Sequence, residues 1–503
     1  MTDPEEAEVA AWFAAAADRS IETACARVFL TGERAFKVKR RVELGYLDYS
    51  TLELRRWALE RELAFNRAAA PDIYRAVRRL TRAADGGLEL DGEGPEVEFV
   101  LEMRRFDEHA VLAAQPWAVD GPLADALGRA VAGFHAAAPV RPEGGGGTAL
   151  KFTIDSNAKL LRELAPALGA ERVERLVAGT DAEFFRREAL LDARRDAGFA
   201  RHCHGDLHLG NIVLEAGRPI LFDCIEFNDV LSEIDVQYDL AFLLMDLEFR
   251  RRRDAAVRVL SAYLDDAMRV FGAAAIEGLA ALPLMLSVRA AVRAHVSAHS
   301  GDIAASSAYL DAALAHLDPA PPRLVAVGGL SGTGKTTFAR LIAPGIGAAP
   351  GAIVLRTDEI RKRLAGVGPT DRLARDLYTP QFYARVYEAL IDEARGLLRA
   401  GRAVVLDATF LQPDLRARAE ALALAEGAPF QGVLLEAPAE VLAARIEGRD
   451  GDASDATVEV LMGQIERLRQ SEPPGPAWTR VDASGPAEAA AEAWSMGPGA
   501  GSP

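Results

Sequence analysis

Gly329-Leu330-Ser331-Gly332-Thr333-Gly334-Lys335-Thr336 is the stretch that decides the fold of the C-terminal part of this chain. It matches the pattern G-x-x-x-x-G-K-[ST], in which glycines let backbone N–H groups curl around phosphate oxygens. An apolar run at 324–327 precedes it, and a helical pattern at 337–342 follows it. A plain glycine turn is the alternative, but strand, loop, Lys-Thr and helix occur here in order.

This loop therefore predicts a nucleotide site. Lys335 is expected to reach the β- and γ-phosphates, and the Thr336 hydroxyl is expected to ligate Mg²⁺. The residues predicted to bind the nucleotide here are Gly329, Ser331, Gly332, Thr333, Gly334, Lys335, Thr336 and Thr337.

Short apolar runs recur after the loop, at 352–355, 403–406 and 432–435, and each is followed by a helical pattern. Such alternation predicts an α/β domain with a buried parallel sheet. We place this domain at 324–483, after a proline-rich linker at 318–323. The Ala/Gly/Pro-rich tail at 484–503 is expected to be disordered.

Further polar residues in this half suit phosphate chemistry. Asp407 ends a buried run and is predicted to hold Mg²⁺ or its water. Asp358 follows another run, where it is expected either to orient an acceptor hydroxyl or to cap a helix. Arg445 and Arg449 lie four apart, so they form either a lid over the phosphates or a solvated helix face.

These motifs resemble the small P-loop kinases, a neighbourhood that includes gluconate kinase, adenylylsulfate kinase, zeta toxin and polynucleotide kinase. The resemblance covers residues 323–483. It implies that the aspartate after the second strand contacts the acceptor and that lid arginines contact ATP. It is specific for nucleotide and weak for the acceptor.

A second constellation lies in the N-terminal half: His204-Gly205-Asp206-Leu207-His208-Leu209-Gly210-Asn211, followed by Ile220-Leu221-Phe222-Asp223. An Asp in a loop, an Asn five residues on and an Asp after the next strand form a recurrent phosphotransfer arrangement. The first carboxylate faces the acceptor hydroxyl, while the amide and second carboxylate hold Mg²⁺. A zinc site at the nearby histidines and Cys203 is disfavoured, because zinc leaves the Asp and Asn unexplained.

The pattern H-G-D-x-H-x-x-N resembles aminoglycoside phosphotransferases and their relatives, including choline and fructosamine kinases. The resemblance implies that Asp206 is the catalytic base and that Asn211 and Asp223 are metal ligands. It also implies that His204 braces the loop and that Asp235 and Asp239 support it.

Such a site needs a cation for the nucleotide phosphates. Lys37 and Lys39 share one face of a predicted strand, because side chains alternate along it. Lys37 follows an aromatic residue and is preferred, with Lys39 as the alternative. Its carboxylate partner is expected on a helix at 52–69, where Glu62 is preferred over Glu60.

The opening of the chain predicts a small β-rich lobe at about 20–105, followed by a mostly helical lobe at about 106–317. No glycine occurs at 18–26, so the G-x-G-x-x-G lid of many kinases is missing. The Thr23 hydroxyl is an alternative hydrogen-bond donor to the phosphates. The expected fold class is thus two-domain α/β and α+β. The N-terminal domain at 1–317 is bilobal and protein-kinase-like, and the C-terminal domain is a three-layer P-loop fold.

From about residue 10 to 483, the chain resembles a bacterial family in which an aminoglycoside phosphotransferase-like domain is fused to a P-loop ATPase. The resemblance implies an ATP- and Mg²⁺-dependent phosphotransferase with two nucleotide sites. Its acceptor is expected to be a small-molecule hydroxyl, on a sugar or aminocyclitol. The alternative is a regulatory protein in which one half binds nucleotide without turnover.

Composition limits the partners. The 503 residues carry a formal net charge of −16, with a pI near 5.2, which disfavours polyanions such as nucleic acid. Three scattered cysteines fit a reducing cytoplasm. No uninterrupted apolar stretch of about 18 residues occurs, so no membrane span is expected. Oligomeric state cannot be read from these patterns.

Overall fold

A computed structural model describes residues 4–44, 47–369, 371–374, 377, 379–448, 457–469 and 472–495. The chain divides into two compact units. The first comprises Met1–Val119, Ala137–Thr153 and Asp192–Leu243. The second comprises Asp120–Ala136, Ile154–Leu191 and Leu244–Pro503.

The strands are β1 (Arg19–Glu22), β2 (Ala26–Thr31), β3 (Arg34–Lys39), β4 (Glu43–Leu44), β5 (Leu47–Asp48), β6 (Tyr74–Arg82), β7 (Leu88–Leu90), β8 (Glu96–Arg104), β9 (Ala200–His202), β10 (Ile212–Glu215), β11 (Arg218–Leu221), β12 (Glu233–Asp235), β13 (Leu324–Gly329), β14 (Ile353–Arg356), β15 (Val404–Asp407), β16 (Phe430–Glu436) and β17 (Trp478–Asp482).

The α-helices are α1 (Pro4–Ala14), α2 (Leu52–Ala69), α3 (Gly121–Ala137), α4 (Gly146–Glu163), α5 (Ala165–Leu168), α6 (Ala170–Asp196), α7 (Asp229–Ser232), α8 (Val236–Phe249), α9 (Arg253–Phe271), α10 (Ala274–Glu277), α11 (Leu282–His299), α12 (Ile303–His316), α13 (Lys335–Ile342), α14 (Thr357–Leu364), α15 (Pro380–Arg399), α16 (Pro413–Ala425), α17 (Ala439–Glu447), α18 (Val458–Arg469) and α19 (Ala487–Ser495). The chain passes between the units at five points, and four of these lie within helices, in α3, α4, α6 and α8.

A six-stranded sheet, with the order β1-β2-β3-β8-β6-β7, forms the base of the first unit. Helix α2 begins where the Thr51 side chain accepts a hydrogen bond from the N–H of Leu54. Its Leu59 packs with Leu30 and Leu101 in a core cluster against one sheet face. This packing sets α2 beside β3, the strand that carries both candidate lysines.

Two short two-stranded sheets follow the six-stranded sheet in the first unit. Strand β12 pairs with β9, and β10 pairs with β11, both antiparallel. The loop between β9 and β10 carries the H-G-D-x-H-x-x-N motif, and β11 leads directly to Asp223. The two small sheets therefore place the H-G-D-x-H-x-x-N motif and Asp223 on loops that follow β9 and β11.

The second unit contains a five-stranded parallel sheet with the order β14-β15-β13-β16-β17. Strands β13, β14 and β15 are buried throughout, and apolar side chains of α13, Phe338 and Ile342, pack with Val325 and Val405 in the core. In the register, Asp407 lies beside Val327 and Arg356. The carboxyl ends of three strands thus meet at the phosphate loop.

The helix α9, which the sequence assigns to the N-terminal domain, packs in this second unit against the parallel sheet. Its Val257 belongs to the same core cluster as the phosphate-loop strand. The Ser261 hydroxyl oxygen lies 3.3 Å from the N–H of Val354, on the edge strand β14, and accepts its hydrogen bond. The predicted linker at 318–323 consequently lies inside one compact unit.

The expectation of a disordered tail is wrong for 487–495. These residues form α19, whose Ala490 is buried and whose Trp494 packs against the sheet core near Phe338. Apolar residues spaced along an Ala-rich helix supply enough buried surface to order it.

One segment of the described chain, Ala274–His299, is long and apolar enough to cross a membrane by length and composition. Of its most apolar window, 78% is buried inside the protein. Core helices of soluble proteins pass the same test, so this segment is weak evidence for a span.

Candidate functional site

The loop after β9 brings Asp206 and Asn211 together. The Asn211 Nδ2 atom donates to the backbone oxygen of Asp206 at 2.9 Å and to its Oδ2 atom at 3.0 Å. The His208 ring accepts a hydrogen bond from the N–H of Gly210 at 3.0 Å and caps the turn that carries Asn211. The Asp206 side chain remains 38% exposed, so a substrate hydroxyl can reach it.

The buried carboxylate of Asp239 accepts hydrogen bonds from the backbone of the same loop. Asp239 accepts hydrogen bonds from the N–H groups of His204 and Gly205 at 3.0 and 2.9 Å. The His204 Nε2 atom lies 2.9 Å from the carbonyl oxygen of Phe222, to which it donates. Burial lowers the pKa of His204, so the ring is neutral near pH 7.

Lys37, Glu62 and Asp223 form a chain of ion pairs. The Lys37 Nζ atom lies 2.6 Å from Glu62 Oε1 and 2.7 Å from Asp223 Oδ1. Partial burial would raise the pKa of Asp223, but the charge and hydrogen bond of Lys37 together with the charge of Lys39 outweigh it and hold the pKa below its ordinary value. Burial would likewise lower the pKa of Lys37, but Asp223 and Glu62 raise it well above the ordinary value.

The alternative lysine also lies in this cluster. The Lys39 Nζ atom lies 2.7 Å from Glu62 Oε2 and 2.5 Å from Glu226 Oε1. The alternative carboxylate lies elsewhere, since Glu60 pairs with Arg56 on the exposed face of α2. Both candidate lysines therefore contact Glu62.

The phosphate loop has the backbone that its glycines predict. Gly329, Gly332 and Gly334 have φ values of 138, 89 and 81°. A Cβ atom on Gly332 would lie 2.7 Å from the backbone oxygen of Leu442, so only glycine fits. The Lys335 Nζ atom donates to the carbonyl of Leu330 at 2.9 Å, which folds this side chain over the loop.

Other loop residues make local contacts. The Thr333 hydroxyl donates to the Leu330 carbonyl at 2.8 Å, and the N–H of Ser331 donates to Gln464 Oε1 at 2.8 Å. Thr337 is exposed on the first turn of α13.

The predicted magnesium ligands of this half meet directly. The Thr336 Oγ1 atom lies 2.5 Å from Asp407 Oδ2. A buried arginine that the sequence reasoning missed, Arg356, lies beside them, 3.4 Å from each of these two atoms. Arg356 also donates to Glu359 Oε1 at 3.0 Å. A charged residue closing the apolar run of β14 was the signal that could have found it.

Asp358 lies in the first turn of α14, at the carboxyl end of β14. Its Oδ1 atom accepts a hydrogen bond from Arg361 Nη1 at 2.6 Å, and the Arg361 guanidinium lies over the Tyr383 ring. The carboxylate is therefore oriented by a cation at the sheet edge where the phosphate loop lies.

Arg445, one of the two arginines predicted to form a lid, is bound by backbone carbonyls in this conformation. Its guanidinium donates to the carbonyls of Ala483, Ser484 and Gly485 at 2.8, 3.0 and 2.8 Å. Three carbonyl acceptors at the start of the tail therefore satisfy this guanidinium. Arg449 lies outside the described residues.

Comparison with known proteins identifies the family. An uncharacterized protein of Mycobacterium tuberculosis (strain ATCC 25618 / H37Rv) is 34% identical over 487 residues, covering 93% of this chain and 92% of the relative. An uncharacterized protein of Mycobacterium bovis matches to the same extent. This chain belongs to their family.

Two family models match separate parts of this family member. Residues 40–279 match the model described as the phosphotransferase enzyme family, and residues 324–471 match one described as an AAA domain. The resemblance to a fusion of these two domains is thereby confirmed, as is the predicted fold class. The chain is a phosphotransferase.

Solved structures with local likeness include a sugar kinase from Janibacter and a gluconokinase from Sinorhizobium meliloti. The first is 23% identical, with a TM-score of 0.27, over 35% of this chain and 94% of the other. The second is 24% identical, with a TM-score of 0.24, over 34% and 88%. Because these TM-scores are below 0.5, the likenesses support no conclusion about the function of this chain.

Proposed function

We propose that this phosphotransferase uses ATP at two sites and transfers the γ-phosphoryl group at each to a hydroxyl of a small molecule. The observation that carries the proposal is the cluster in the first unit. There Lys37 joins Glu62 to Asp223, and Asn211 lies 3.0 Å from Asp206. A cation, two candidate metal ligands and a reachable carboxylate are the groups that this chemistry requires.

At the first site, Asp206 accepts the proton of the acceptor hydroxyl. The hydroxyl oxygen then forms a bond to the γ-phosphorus, while the bond from that phosphorus to the β–γ bridging oxygen breaks and ADP leaves. Lys37 binds the nucleotide phosphates, and Glu62 orients Lys37. These assignments follow the family resemblance and the distances around the cluster.

The donor set fits Mg²⁺, which prefers oxygen ligands. The amide nitrogen of Asn211 is turned toward Asp206, which leaves its carbonyl oxygen as a ligand. Lys37 contacts Oδ1 of Asp223, which leaves Oδ2 of this half-exposed side chain for the metal. Bound Mg²⁺ neutralises the phosphate charge during transfer.

At the second site, the phosphate-loop backbone and Lys335 bind the phosphates. Thr336 and Asp407 supply oxygen ligands for Mg²⁺, and their 2.5 Å contact supports this pairing. Asp358, held by Arg361, orients the acceptor hydroxyl. Arg445 has no part in this scheme.

The acceptor class that we propose is a sugar, an aminocyclitol or a similar polyol, and not a nucleic acid, since the chain is strongly acidic. We also propose a cytoplasmic location. All three cysteines, Cys25, Cys203 and Cys224, are free thiols, which supports a reducing compartment.

The second candidate function is regulatory, with one half binding nucleotide without turnover. The second site favours it, because backbone carbonyls bind the Arg445 guanidinium and Arg356 lies beside the predicted metal ligands.

The test is ATP consumption with Mg²⁺ by the whole chain against sugars, aminocyclitols and aminoglycosides. Lys335→Ala and Asp206→Ala are measured beside the parent. Acceptor-dependent turnover lost in one variant assigns that chemistry to one half. Turnover by the first half that survives Asp206→Ala refutes the assignment of the base, and acceptor-independent hydrolysis or binding alone favours the regulatory function.

A further inference from the structure

Strand β3 is tied to its surroundings by two lysines that share one carboxylate. Glu62 on α2 places Oε1 2.6 Å from Lys37 Nζ and Oε2 2.7 Å from Lys39 Nζ. Each lysine then has a second carboxylate, and both lie on the loop after β11. These are Asp223 for Lys37 and Glu226 for Lys39, three residues apart.

The two pairs differ in their access to solvent. The outer pair is partly open, with the Lys37 side chain 14% exposed and that of Asp223 46% exposed. The inner pair is sealed, with Lys39 at 2% and Glu226 at 5%. A ligand can therefore reach and rearrange the outer pair, while the inner pair is part of the interior.

The inner pair is also fixed from further sides. The Tyr49 hydroxyl donates to Glu226 Oε1 at 2.7 Å. The backbone oxygen of Glu226 accepts a hydrogen bond from Arg61 Nε on α2 at 2.9 Å. Glu226 consequently joins β3, α2 and the loop that carries Asp223.

The charges explain why two pairs are needed. Lys37, Lys39, Glu62 and Glu226 sum to zero, so Asp223 is the surplus carboxylate, as a ligand for a divalent cation should be. When Asp223 turns to Mg²⁺ and Lys37 to phosphate, Lys39 still balances the two buried glutamates. Without Lys39, both glutamates would compete with the nucleotide for Lys37.

We propose that Lys39 and Glu226 are positioning residues of the first nucleotide site. They neutralise Glu62 and hold the loop, which releases Lys37 for the phosphates and keeps Asp223 beside it. This inference rests on the proposed function of the first site.

The test uses the whole chain carrying Lys335→Ala, which weakens the second site, and the probe is AMPPNP with Mg²⁺. Lys39→Met raises the Kd by about tenfold or more, because unpaired buried carboxylates hold Lys37. Adding Glu226→Gln removes one of those carboxylates and recovers most of the affinity. The matched control is Arg56→Met with Glu60→Gln, an exposed pair on the same helix, which leaves the Kd unchanged.

A purely structural role gives a different result. The melting temperature would then fall in Lys39→Met and recover in the double variant, with the Kd of the folded protein unchanged, and the inference would be overturned. If Lys39→Met does not fold, Glu226→Gln alone decides. It should raise the Mg²⁺ concentration for half-maximal AMPPNP binding by about threefold or more, since the loop of Asp223 is loosened, and no change refutes the proposal.

Lys37→Met in the same background separates the two levels of argument. If the Lys335→Ala chain does not bind AMPPNP, the proposed function of this site fails and the inference fails with it. If Lys37→Met abolishes binding while Lys39→Met and the double variant bind like the parent, the proposed function stands and the positioning role is refuted.

Discussion

Arg356→Met removes a buried cation from the two residues that we propose as Mg²⁺ ligands in the second unit. The guanidinium lies 3.4 Å from both Asp407 Oδ2 and Thr336 Oγ1, and it also contacts Glu359. The Arg356 side chain is 6% exposed, as is that of Asp407. Methionine approximates only the unbranched aliphatic part of the arginine side chain, so the charge and the guanidinium hydrogen bonds are lost.

The magnitude follows from this burial. Removing one partner of a buried ion pair costs about 3–5 kcal/mol, because a carboxylate stays buried without compensation. We expect the Tm to fall by on the order of 10 °C in metal-free buffer. The same surplus charge attracts Mg²⁺. Unit charges about 4 Å apart interact by about 4 kcal/mol at an effective dielectric constant of 20, and a third of that changes affinity about tenfold.

The assay pairs thermal unfolding with isothermal titration of ADP at a series of Mg²⁺ concentrations. Arg356→Met should be less stable without metal, and it should need about tenfold less Mg²⁺ for half-maximal ADP binding. The control is Arg445→Met, because that guanidinium contacts backbone carbonyls. It should lose stability without a change in the Mg²⁺ requirement.

Two results would refute the reasoning. If Arg356→Met melts at the parental temperature, its contact with Asp407 contributes nothing measurable. If the variant needs more Mg²⁺ than the parent, Arg356 assists metal binding and does not compete with it.

Three further predictions follow from the geometry. Gly332→Ala should abolish ADP binding at the phosphate loop, since its Cβ would lie 2.7 Å from a backbone oxygen of α17. The control Gly345→Ala has open space around it and should bind ADP normally. Equal binding of ADP by both variants would contradict the predicted clash. Burial and two nearby arginines lower the pKa of His202 from 6.5 to about 4. The neutral ring therefore contributes about 3 kcal/mol at most to the free energy of unfolding, and this contribution is fully present above pH 6.5 and is lost as the pH falls toward about 4. His202→Phe should therefore flatten the acid limb of a denaturation series, and an unchanged limb would count against it. Trp494→Ala should cost roughly 2 kcal/mol in guanidinium unfolding, because the ring is only partly buried, and no loss would mean that α19 does not stabilise the sheet.

The sequence was most informative where consecutive residues carry the structure. The helix expected at 52–69 is α2 (Leu52–Ala69), and the strand expected at 324–327 lies within β13 (Leu324–Gly329). Spacing along one strand or helix depends on local geometry, which a period in the sequence reports directly. The prediction for the tail was wrong at 487–495, since α19 is ordered by contacts with core residues that are far away along the chain.

Side-chain partners were harder to predict. Lys37 and Lys39 looked like alternatives, because nothing in the alternation of a strand tells whether one carboxylate serves both. Arg445 looked like a lid residue, because helical spacing shows which residues share a face and not what that face meets. The sequence did not predict Arg356 as a site residue, since its partner Asp407 belongs to another strand.

By itself, then, the sequence determined the phosphate loop, the order of the elements and the two constellations, because each is a pattern of neighbouring residues whose chemistry is local. The tertiary structure alone decided that Glu62 serves two lysines, that Glu226 anchors the loop of Asp223, that Arg356 lies beside Thr336 and Asp407, and that α9 packs on the parallel sheet. These contacts join residues far apart along the chain. They depend on how separate elements pack, and no spacing within one element records that.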